Sequence, residues 1–438
     1  MTDLLFVRAR ALRAPLLAAL CAFLLVIVPC GAHGQADKVI VLQHADSLVG
    51  RVLGGEEVRE LIGNVHFSQG NTRVSCDHAL RYMASGKINL SGNVVIRDDS
   101  VTMKSPRGTY YRDERLAEAF DSVSLDDGKV KLTARYGKYY VEPRRAFFRS
   151  HVVVRDTAST VTADSLTYFR DEKRSVALGR VKVYSPSDNV TITGGQLEHI
   201  SPAQFSRVTK GPVLVQIDTT GAGRIDTLVV RSTVMESYRA GVKRMVAIDS
   251  VQIVRSDLAA VGGHATFYTV GDSIILRRNP VVWYEKTQVS GDSIDVYLRR
   301  RRLHRVNVLG DAFAVSQTDS LHPERFDQIT GDSLRMRFGE SGLERIDVVV
   351  HAISVYHLYE DSLGNGLNKT SGDRIIMNFV EGKVRTIRVW GGVEGQYYPE
   401  NMIKGREREY EIPGFFLRAD RPRIRSGDMR EFGPVANR

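Results

Sequence analysis

The most suggestive catalytic pattern in the sequence is the segment Gly331-Asp332-Ser333-Leu334, which spells a known hydrolase nucleophile motif. Such a motif needs a reactive Ser at a turn, with a His and an Asp brought to it from elsewhere in the chain. The same letters return at Gly271-Asp272-Ser273 and Gly291-Asp292-Ser293, and nearly so at Ala163-Asp164-Ser165-Leu166. Because a nucleophile does not recur in every structural repeat, we interpret these segments as turns at the start of strands and predict no enzymatic activity.

Histidines are the other residues that could act chemically, and they are scattered along the chain. They include His66, His78, His151, His199, His264, His304, His351 and His357. None forms a helical i, i+4 pair or a conventional zinc spacing, and no phosphate-binding loop or dinucleotide fingerprint is present. The sequence therefore predicts no metal site and no cofactor.

Basic residues cluster at positions between the apolar segments, where turns are expected. The candidates for contact with an anionic headgroup are Arg144, Arg145, Lys173, Arg174, Arg299, Arg300, Arg301 and Arg302. Cations can bind the phosphates of a glycolipid through charge-assisted hydrogen bonds. They also prevent edge-to-edge aggregation of sheets, so this pattern alone leaves both interpretations open.

A repeat of about 29 residues must position all of these groups. The segments Leu61–Phe67 and Leu90–Ile96 match closely at a spacing of 29 residues. The markers that continue the pattern are Gly63, Gly92, Asp121, Ser150, Gly179, Gly211, Asp249, Asn279, Gly310, His351 and Gly391. About eleven units therefore cover nearly the whole chain, and the longer intervals between later markers predict insertions in loops.

Apolar residues alternate in the short segment that follows each marker. Residues two apart share one face of a strand, so each unit sends two apolar side chains to the same side. The predicted apolar face consists of Val65, Phe67, Val94, Ile96, Val123, Leu125, Val152, Val154, Val181, Val183, Val213, Val215, Val251 and Ile253, and the pairs Val281/Trp283 and Ile353/Val355 continue it. The residues between them are mixed, so the opposite face is predicted to be largely solvated.

An aromatic residue also recurs at the 29-residue spacing, at Tyr82, Tyr111, Tyr140 and Phe169. If the units stack in register, these rings are predicted to lie one above another. No amphipathic helix of normal length interrupts the pattern. The sequence thus predicts an all-β, elongated domain of stacked repeats with mostly antiparallel strands.

The N-terminus has the pattern of a secretory signal peptide over residues 1–34. Arg8, Arg10 and Arg13 precede an uncharged stretch and a group of small residues. Cys30 follows the apolar run, so a lipoprotein remains the rival interpretation. Removal of this segment takes away three Arg and one Asp, lowers the net charge from +10 to +8, and leaves Cys76 as the single cysteine. We therefore expect neither a disulfide framework nor a cysteine-based metal site.

The copies of Gly-Asn-Val-x-Phe/Ile, the Ala/Gly-Asp segments and the nearby Tyr residues resemble the OstA/LptA family of periplasmic lipopolysaccharide-transport proteins, which carry an organic solvent tolerance-like domain. The stretches most similar to it are Leu61–Ile96 and Thr162–Val183, and the resemblance spans about residues 38–400. It implies an open, twisted β-jellyroll whose hydrophobic interior receives acyl chains. It also implies that protomers or partner domains join end to end.

We accordingly predict a signal peptide over residues 1–34, an OstA/LptA-like β-jellyroll repeat region over 35–400 and an Arg-rich tail over 401–438. The resemblance implies a periplasmic, non-enzymatic protein that binds lipopolysaccharide or a related glycolipid and bridges its transport for outer-membrane assembly. Expected partners are other β-jellyroll transport proteins or further copies of this chain, with membrane contact only through partners and no nucleic acid. Association with the outer membrane is left open. The alternative is a structural β-solenoid, a scaffold or surface adhesin without lipid cargo, in which the apolar face is only core.

Overall fold

The computed structural model describes residues 40–69, 72–98, 101–140, 142–219, 225–268, 270–299, 302–317, 322–360, 363–429 and 432. Helical structure within these ranges is limited to α1 (Glu400–Ile403) and one 3₁₀ turn at Glu407–Tyr410. Neither helix in the described ranges has the length and apolar character needed to cross a membrane. The predicted signal peptide lies outside the described residues, as do Arg300 and Arg301.

The chain divides into two compact units, the first running to Pro212 with Tyr238–Ala240 and Glu431–Arg438, the second comprising Val213–Ser237 and Gly241–Arg430. The strands of the first unit are β1 (Val41–His44), β2 (Ser47–Leu53), β3 (Glu56–Gln69), β4 (Thr72–Tyr82), β5 (Lys87–Asp98), β6 (Val101–Tyr111), β7 (Leu116–Asp126), β8 (Lys131–Tyr140), β9 (Arg145–Arg155), β10 (Thr160–Phe169), β11 (Arg174–Ser185), β12 (Val190–Ile200) and β13 (Phe205–Thr209).

The remaining strands belong to the second unit, except that Tyr238, the last residue of β16, falls in the first. They are β14 (Val213–Thr219), β15 (Ile225–Arg231), β16 (Val234–Tyr238), β17 (Arg244–Val254), β18 (Leu258–Tyr268), β19 (Ser273–Arg277), β20 (Val281–Tyr284), β21 (Thr287–Ser290), β22 (Ser293–Arg299), β23 (Arg302–Gln317), β24 (Phe326–Gly339), β25 (Gly342–Glu360), β26 (Leu363–Val380), β27 (Lys383–Trp390) and β28 (Glu394–Tyr398).

Sharp bends, which we call corners, recur in both units at pairs of consecutive residues with positive φ. Three other such pairs, Gly54–Gly55, Gly271–Asp272 and Glu381–Gly382, form hairpin turns and are not corners. The corner pairs are Gly63–Asn64, Gly92–Asn93, Asp121–Ser122, Ser150–His151, Gly179–Arg180, Lys210–Gly211, Asp249–Ser250, Arg278–Asn279, Gly310–Asp311, Val350–His351 and Gly391–Gly392. Left-handed residues of this kind interrupt the hydrogen-bond ladder and bend the strand as a bulge does. The register of β3 against β4, for instance, shifts between Ile62 and Val65. Every predicted marker lies in one of these pairs, although the number of stacked layers, about eleven, stays a prediction.

An aspartate of a neighbouring strand sits beneath several of these corners. At Gly92 (φ 74°), an added Cβ would lie 2.3 Å from Oδ2 of Asp77, so only glycine combines the required φ with the required space. The next residue, Asn93, donates from Nδ2 to the same oxygen at 2.8 Å. The recurring Ala/Gly-Asp segments thus supply corner aspartates.

The segment Gly331-Asp332-Ser333-Leu334 has the same role. It lies inside β24, where the register against β25 shifts between Thr330 and Ser333, and therefore not at the start of a strand as predicted. The Asp332 carboxylate lies 2.9 Å from Nδ1 of the corner residue His351. The geometry of Asp332 is accounted for by this corner.

Both halves of the bent strands in the first unit contribute to one apolar cluster, and the sheet face that carries it is called the inner face. Its buried members are Val65, Cys76, Ala79, Ile88, Leu90 and Val94. Ala79 and Leu90 are cross-strand partners before a corner, whereas Val65 and Val94 follow corners. The two halves therefore pack against each other, and all described pairings are antiparallel. The prediction of an all-β, antiparallel jellyroll is confirmed.

The predicted aromatic stack has a different arrangement. Each repeat contributes two strands, so a residue of the intervening strand separates successive rings. Arg145 is the cross-strand partner of both Tyr140 and Phe169, and its guanidinium lies 4.8 Å from the Tyr140 ring centroid. The Arg174 guanidinium lies 4.2 Å from the ring of Phe169. The row therefore interleaves rings with cations.

In the second unit, residues 399–429 add a third layer that we call the C-terminal cover. It lies on the outer face, the sheet face opposite the inner cluster of this unit. Ile403 and Ile412 of the cover are 0% and 2% exposed. They pack with the outer-face residues Val315, Val355 and Leu367. The cover therefore buries a second apolar surface on the same sheet.

Side-chain amides of the sheet hold the backbone of the cover. Gln288 donates from Nε2 to the carbonyl oxygen of Phe416 at 2.9 Å, and its Oε1 accepts from the Arg418 N–H at 2.9 Å. Gln328 Oε1 likewise accepts from the Ile412 N–H at 2.8 Å. Both glutamines are 4% exposed, so these bonds satisfy polar groups that would otherwise be buried without partners.

Charged pairs anchor the two ends of the cover. Near its start, Arg325 donates from Nη2 to Oε1 of Glu400 at 2.6 Å. Near its end, Arg231 donates from Nε to Oδ1 of Asp428 at 3.0 Å and from Nη2 to the Arg423 carbonyl oxygen at 3.0 Å. The side chains of Arg231 and Asp428 are only 11% and 6% exposed. The predicted Arg-rich tail is thus docked as far as the structure describes it.

At three places in the second unit, the prediction assigned the wrong residues to the inner face, because it was shifted by one residue along the strand. Val213 pairs with Arg231 and Val215 with Val229, whereas Leu214 pairs with Val230, which packs on the inner cluster. Val213 and Val215 therefore lie on the outer face, and the same holds for Val281, Trp283, Ile353 and Val355. The physical reason is that the left-handed pairs Lys210–Gly211, Arg278–Asn279 and Val350–His351 begin one residue before the assumed marker.

Candidate functional site

The candidate site is the inner face of the first unit, along a line of side chains that follow the corners. Direct cross-strand partners point to the same side of a sheet, so the following residues form one continuous row, which we call the rim row. It runs through Phe67, Val74, Ile96, Met103, Leu125, Leu132, Val154, Val161, Val183 and Ile192.

Exposure changes along the rim row. The five residues from Phe67 to Leu125 are half-buried, whereas those from Leu132 to Ile192 are at most 5% exposed. In the buried part, the inner-face residues two positions before Leu132, Val161 and Ile192 are buried as well. These residues are Val130, Ser159 and Val190. The inner face is therefore open to a ligand over β3–β7 and closed beyond them.

An apolar pocket lies at the open end of the rim row. It is a small cavity of about 130 Å³ and is lined by Ile40, Leu42, Leu48, Arg59, Leu61, Phe67, Ala79, Arg81 and Ile88. Leu42 and Leu48 are 43% and 56% exposed, which leaves apolar surface available to a hydrophobic ligand.

The structure separates the predicted groove residues into two classes. Those directly after the corners are at most 1% exposed and form core, namely Val65, Val94, Val123, Val152, Val181 and Val251. Val154, Val183 and Ile253 are at most 5% exposed. Only Phe67, Ile96 and Leu125 combine the inner face with partial exposure. A lipid role for any of them stays a prediction, and these three are the ones that a ligand can reach.

Four of the predicted headgroup cations lie at hairpin ends of the first unit. Arg145 and Arg174 alternate with the inner-face residues Ala146 and Ser175, so they point to the outer face, away from the rim row. Arg174 forms ion pairs with Glu172 at 2.6 Å and with Glu198 at 3.3 Å. Arg144 lies 3.6 Å from Asp171, and Lys173 occupies a turn with φ 46°. Their headgroup role stays a prediction without support from this geometry.

The densest predicted basic cluster belongs to the second unit. Arg299 and Arg302 pair across the turn between β22 and β23, and Arg302 donates from Nη2 to the Glu340 carbonyl oxygen at 3.2 Å. Arg300 and Arg301 fall outside the described residues. A headgroup role for this cluster stays a prediction.

Sequence reasoning missed most of the pocket because β1 and β2 precede the first marker, and the alternation was followed only after Gly63. The signal was present in the apolar alternation of Ile40 with Leu42 and in Leu48.

Cys76, also on the inner face, is 4% exposed, and burial raises its pKa to about 11, so the thiol stays protonated at neutral pH. Among the described residues, no group of three or more His, Cys, Asp or Glu side chains is placed to hold a metal ion.

Comparison with known proteins gives a family for part of the chain. Residues 84–177 match the family model described as OstA-like protein, which confirms the predicted resemblance over that segment. The match includes Ile96 and Leu125 of the open rim row. Among solved structures, the chain is similar to LptH, the LptA homologous periplasmic component of the lipopolysaccharide transport device from Pseudomonas aeruginosa, at 11% identity and a TM-score of 0.25. That alignment covers 32% of this chain and 95% of LptH. No curated protein sequence matches the chain.

Proposed function

We propose that this protein binds lipopolysaccharide or a related glycolipid in the periplasm and takes part in its transport to the outer membrane. The observation that carries the proposal is the open part of the rim row, where Phe67, Ile96 and Leu125 present apolar surface on the inner face. Burial of acyl chains there contributes about 0.8 kcal/mol per CH₂ group. The OstA-like match over residues 84–177 supports the same assignment.

The end strands support a bridging role within this proposal. In the described residues β1 and β2 pair on one side only, with β3, and β27 and β28 pair only with β26. Unpaired strand edges bind further strands through backbone hydrogen bonds. Other β-jellyroll transport proteins, or further copies of this chain, are the proposed end-to-end partners, and contact with the outer membrane would be made through them.

One observation favours the alternative of a structural scaffold. The inner cluster of the second unit is closed, with Val251, Ile294, Val308 and Ile375 each at most 1% exposed. A closed core of this kind needs no ligand. In the proposal, lipid therefore binds to the first unit, and the second unit has a structural role.

Photo-crosslinking in living cells tests the proposal. A crosslinking residue at Ile96, on the open rim row, should capture glycolipid. One at Val95, the adjacent outer-face residue, should not, and one at the buried Val152 should not. Equal capture at Ile96 and Val95 would mean that cargo does not enter by the inner face. If the folded and exported protein captures no glycolipid from Ile96, Phe67 or Leu125, the scaffold becomes the better account.

A further inference from the structure

Two arginines, Arg59 and Arg81, stand at the mouth of the apolar pocket in the first unit. They are direct cross-strand partners in β3 and β4. Each lies two residues along its strand from the neighbouring partners Leu61 and Ala79. Alternation places all four side chains on the inner face, and all four line the pocket. A pair of permanent positive charges therefore adjoins a surface that is otherwise apolar.

This pair has an unfavourable electrostatic environment in the protein alone. Like charges directly opposite each other on neighbouring strands are destabilising. Glu60 lies on the opposite face and is engaged by Arg51 at 2.5 Å and His78 at 2.6 Å. Glu57, two residues from Arg59 on the same face, forms no ion pair with either arginine. In the part of the chain that the structure describes, neither guanidinium has a carboxylate partner, so the local charge is uncompensated.

We propose that Arg59 and Arg81 bind the phosphate of an acyl amphiphile whose hydrocarbon chain enters the pocket toward Phe67. A guanidinium presents a planar fork of donors that matches phosphate oxygens in a bidentate manner. Two such forks beside the pocket mouth select a ligand that carries its anionic group at the end of an apolar chain. This inference rests on the proposed function and assigns the headgroup contact to residues other than the predicted basic turns.

A second arginine pair provides a matched control. Arg73 and Arg97 are also direct cross-strand partners in the first unit, and both are exposed. They alternate with the rim-row residues Val74 and Ile96, so they point to the outer face, and neither lines the pocket. The two pairs match in residue type, pairing and charge, and differ in the face they occupy.

The test measures calorimetric binding of a lysophosphatidic acid and of the monoacylglycerol with the same acyl chain, both below their micelle concentrations, to the chain from Gln35 to the C-terminus. We expect the phosphate-bearing lipid to bind at least about tenfold more tightly. The double variant Arg59→Gln/Arg81→Gln should lose this preference and keep its affinity for the neutral lipid. Arg73→Gln/Arg97→Gln should keep the preference, and inorganic phosphate alone should bind far more weakly.

Each other outcome overturns a distinct claim. Equal binding of the two lipids to the wild type would overturn the arginine site and leave the acyl groove standing. Loss of the preference in Arg73→Gln/Arg97→Gln as well would show an effect of net charge. Inorganic phosphate binding as tightly as the lysolipid would identify a free-anion site. If neither lipid binds the folded protein, the groove itself fails. Protection of the Cys76 thiol reports that each variant is folded.

Discussion

Both units are built from the same strand-corner-strand element, but they differ in the type and burial of the residues on the outer face of the sheet. In the first unit, outer positions after the corners carry residues such as His66, Ser124 and Lys182, which are exposed or half-buried. In the second unit, the corresponding face carries Val315 and Val355, which are at most 2% exposed beneath the C-terminal cover. A sheet that is apolar on both faces needs a layer on each. The cover supplies the missing layer in the second unit.

The inner faces differ as well. The rim row of the first unit is half-buried from Phe67 to Leu125, whereas the inner cluster of the second unit is closed. The unit without the cover is thus the one with accessible apolar surface inside. In the proposed function, the first unit binds the ligand and the second contributes stability, and each of the following variants tests that division.

Deletion of residues 399–430, which all belong to the second unit, should have the largest effect. We expect the second unit to lose about 5 kcal/mol or more of its unfolding free energy, since breaking a buried ion pair such as Arg231–Asp428 costs about 3–5 kcal/mol and exposing the sheet residues Val315 and Val355 beneath the cover costs about 2 kcal/mol each. The chain has two tryptophans, Trp283 and Trp390, both in the second unit. Their fluorescence in a denaturant titration measures this loss.

Cys76 provides the matched reporter for the first unit, because a chain that begins at Gln35 has no other cysteine. Its rate of thiol labelling should be unchanged by the deletion. Equal loss of Cys76 protection would show that the two units unfold together. An unchanged tryptophan transition would show that the cover contributes nothing to stability.

Replacement of one partner of the Arg231–Asp428 pair should have the next largest effect. Arg231→Met or Asp428→Leu alone should each destabilise the second unit by about 3–5 kcal/mol, because each leaves a buried charge unpaired. The double variant should cost clearly less than the sum. Additive losses in this double-mutant cycle would argue against a direct interaction. As the control in the first unit, Arg115→Met removes an ion pair to Glu142 that is 52% and 72% exposed, and should cost less than about 1 kcal/mol.

A single carboxylate on each outer face compares the two surfaces directly. Val315→Asp places a charge under the cover and should destabilise the second unit by about 3 kcal/mol or more. Val153→Asp, on the half-buried outer face of the first unit, should cost about 1 kcal/mol or less. Thermal unfolding followed by tryptophan fluorescence for the former, and by Cys76 labelling for the latter, gives both values. Similar losses would mean that the two outer faces are equally buried in solution.

The acid dependence of the Asp428 contribution should be the smallest effect. Burial acts to raise the pKa of Asp428, but hydrogen bonds from Arg231 and from the Arg425 N–H hold it below its ordinary value of 3.8. A carboxylate with a lowered pKa contributes stability that is present above the unfolded-state pKa and is lost as pH falls through the folded-state pKa. The difference in unfolding free energy between the wild type and Asp428→Asn should therefore be constant near neutral pH and shrink below about pH 4. A constant difference down to pH 2 would contradict this role.

The sequence was informative where one face of a strand is apolar and the other polar. In the first unit, the alternation around Val65 and Val181 predicts the inner face correctly, because the polar residues His66 and Lys182 lie between the apolar ones. In the second unit, Val213 and Val215 were assigned to the wrong face, since Leu214 between them is also apolar. When both faces of a strand are apolar, the alternation does not show which residues lie on the inner face. Only the position of the left-handed pair determines this.

The C-terminal cover was not predictable from local pattern. Its contacts join residues far apart in sequence, such as Arg231 with Asp428, and its Arg-rich composition resembles a solvated tail. The sheet residues that receive it, Gln288 and Gln328, look like ordinary surface positions when read one strand at a time. The arginine pair at the pocket mouth was missed for a related reason, because the cross-strand register that joins Arg59 to Arg81 is a tertiary property.

The cover follows every strand of the second unit in the sequence, and this sets an order of events during biosynthesis. The outer face around Val315 and Val355 has no complete covering layer while the roughly 70 residues between Val355 and Asp428 are translated, which takes about 4–14 s at about 5–20 residues per second. Among the described residues, the first unit receives only short pieces of the later chain, Tyr238–Ala240 and Phe432. A nascent chain stalled before residue 400 should therefore carry one completed unit and one aggregation-prone sheet, and a holdase that binds exposed apolar strands is the factor this chain should require most in that interval.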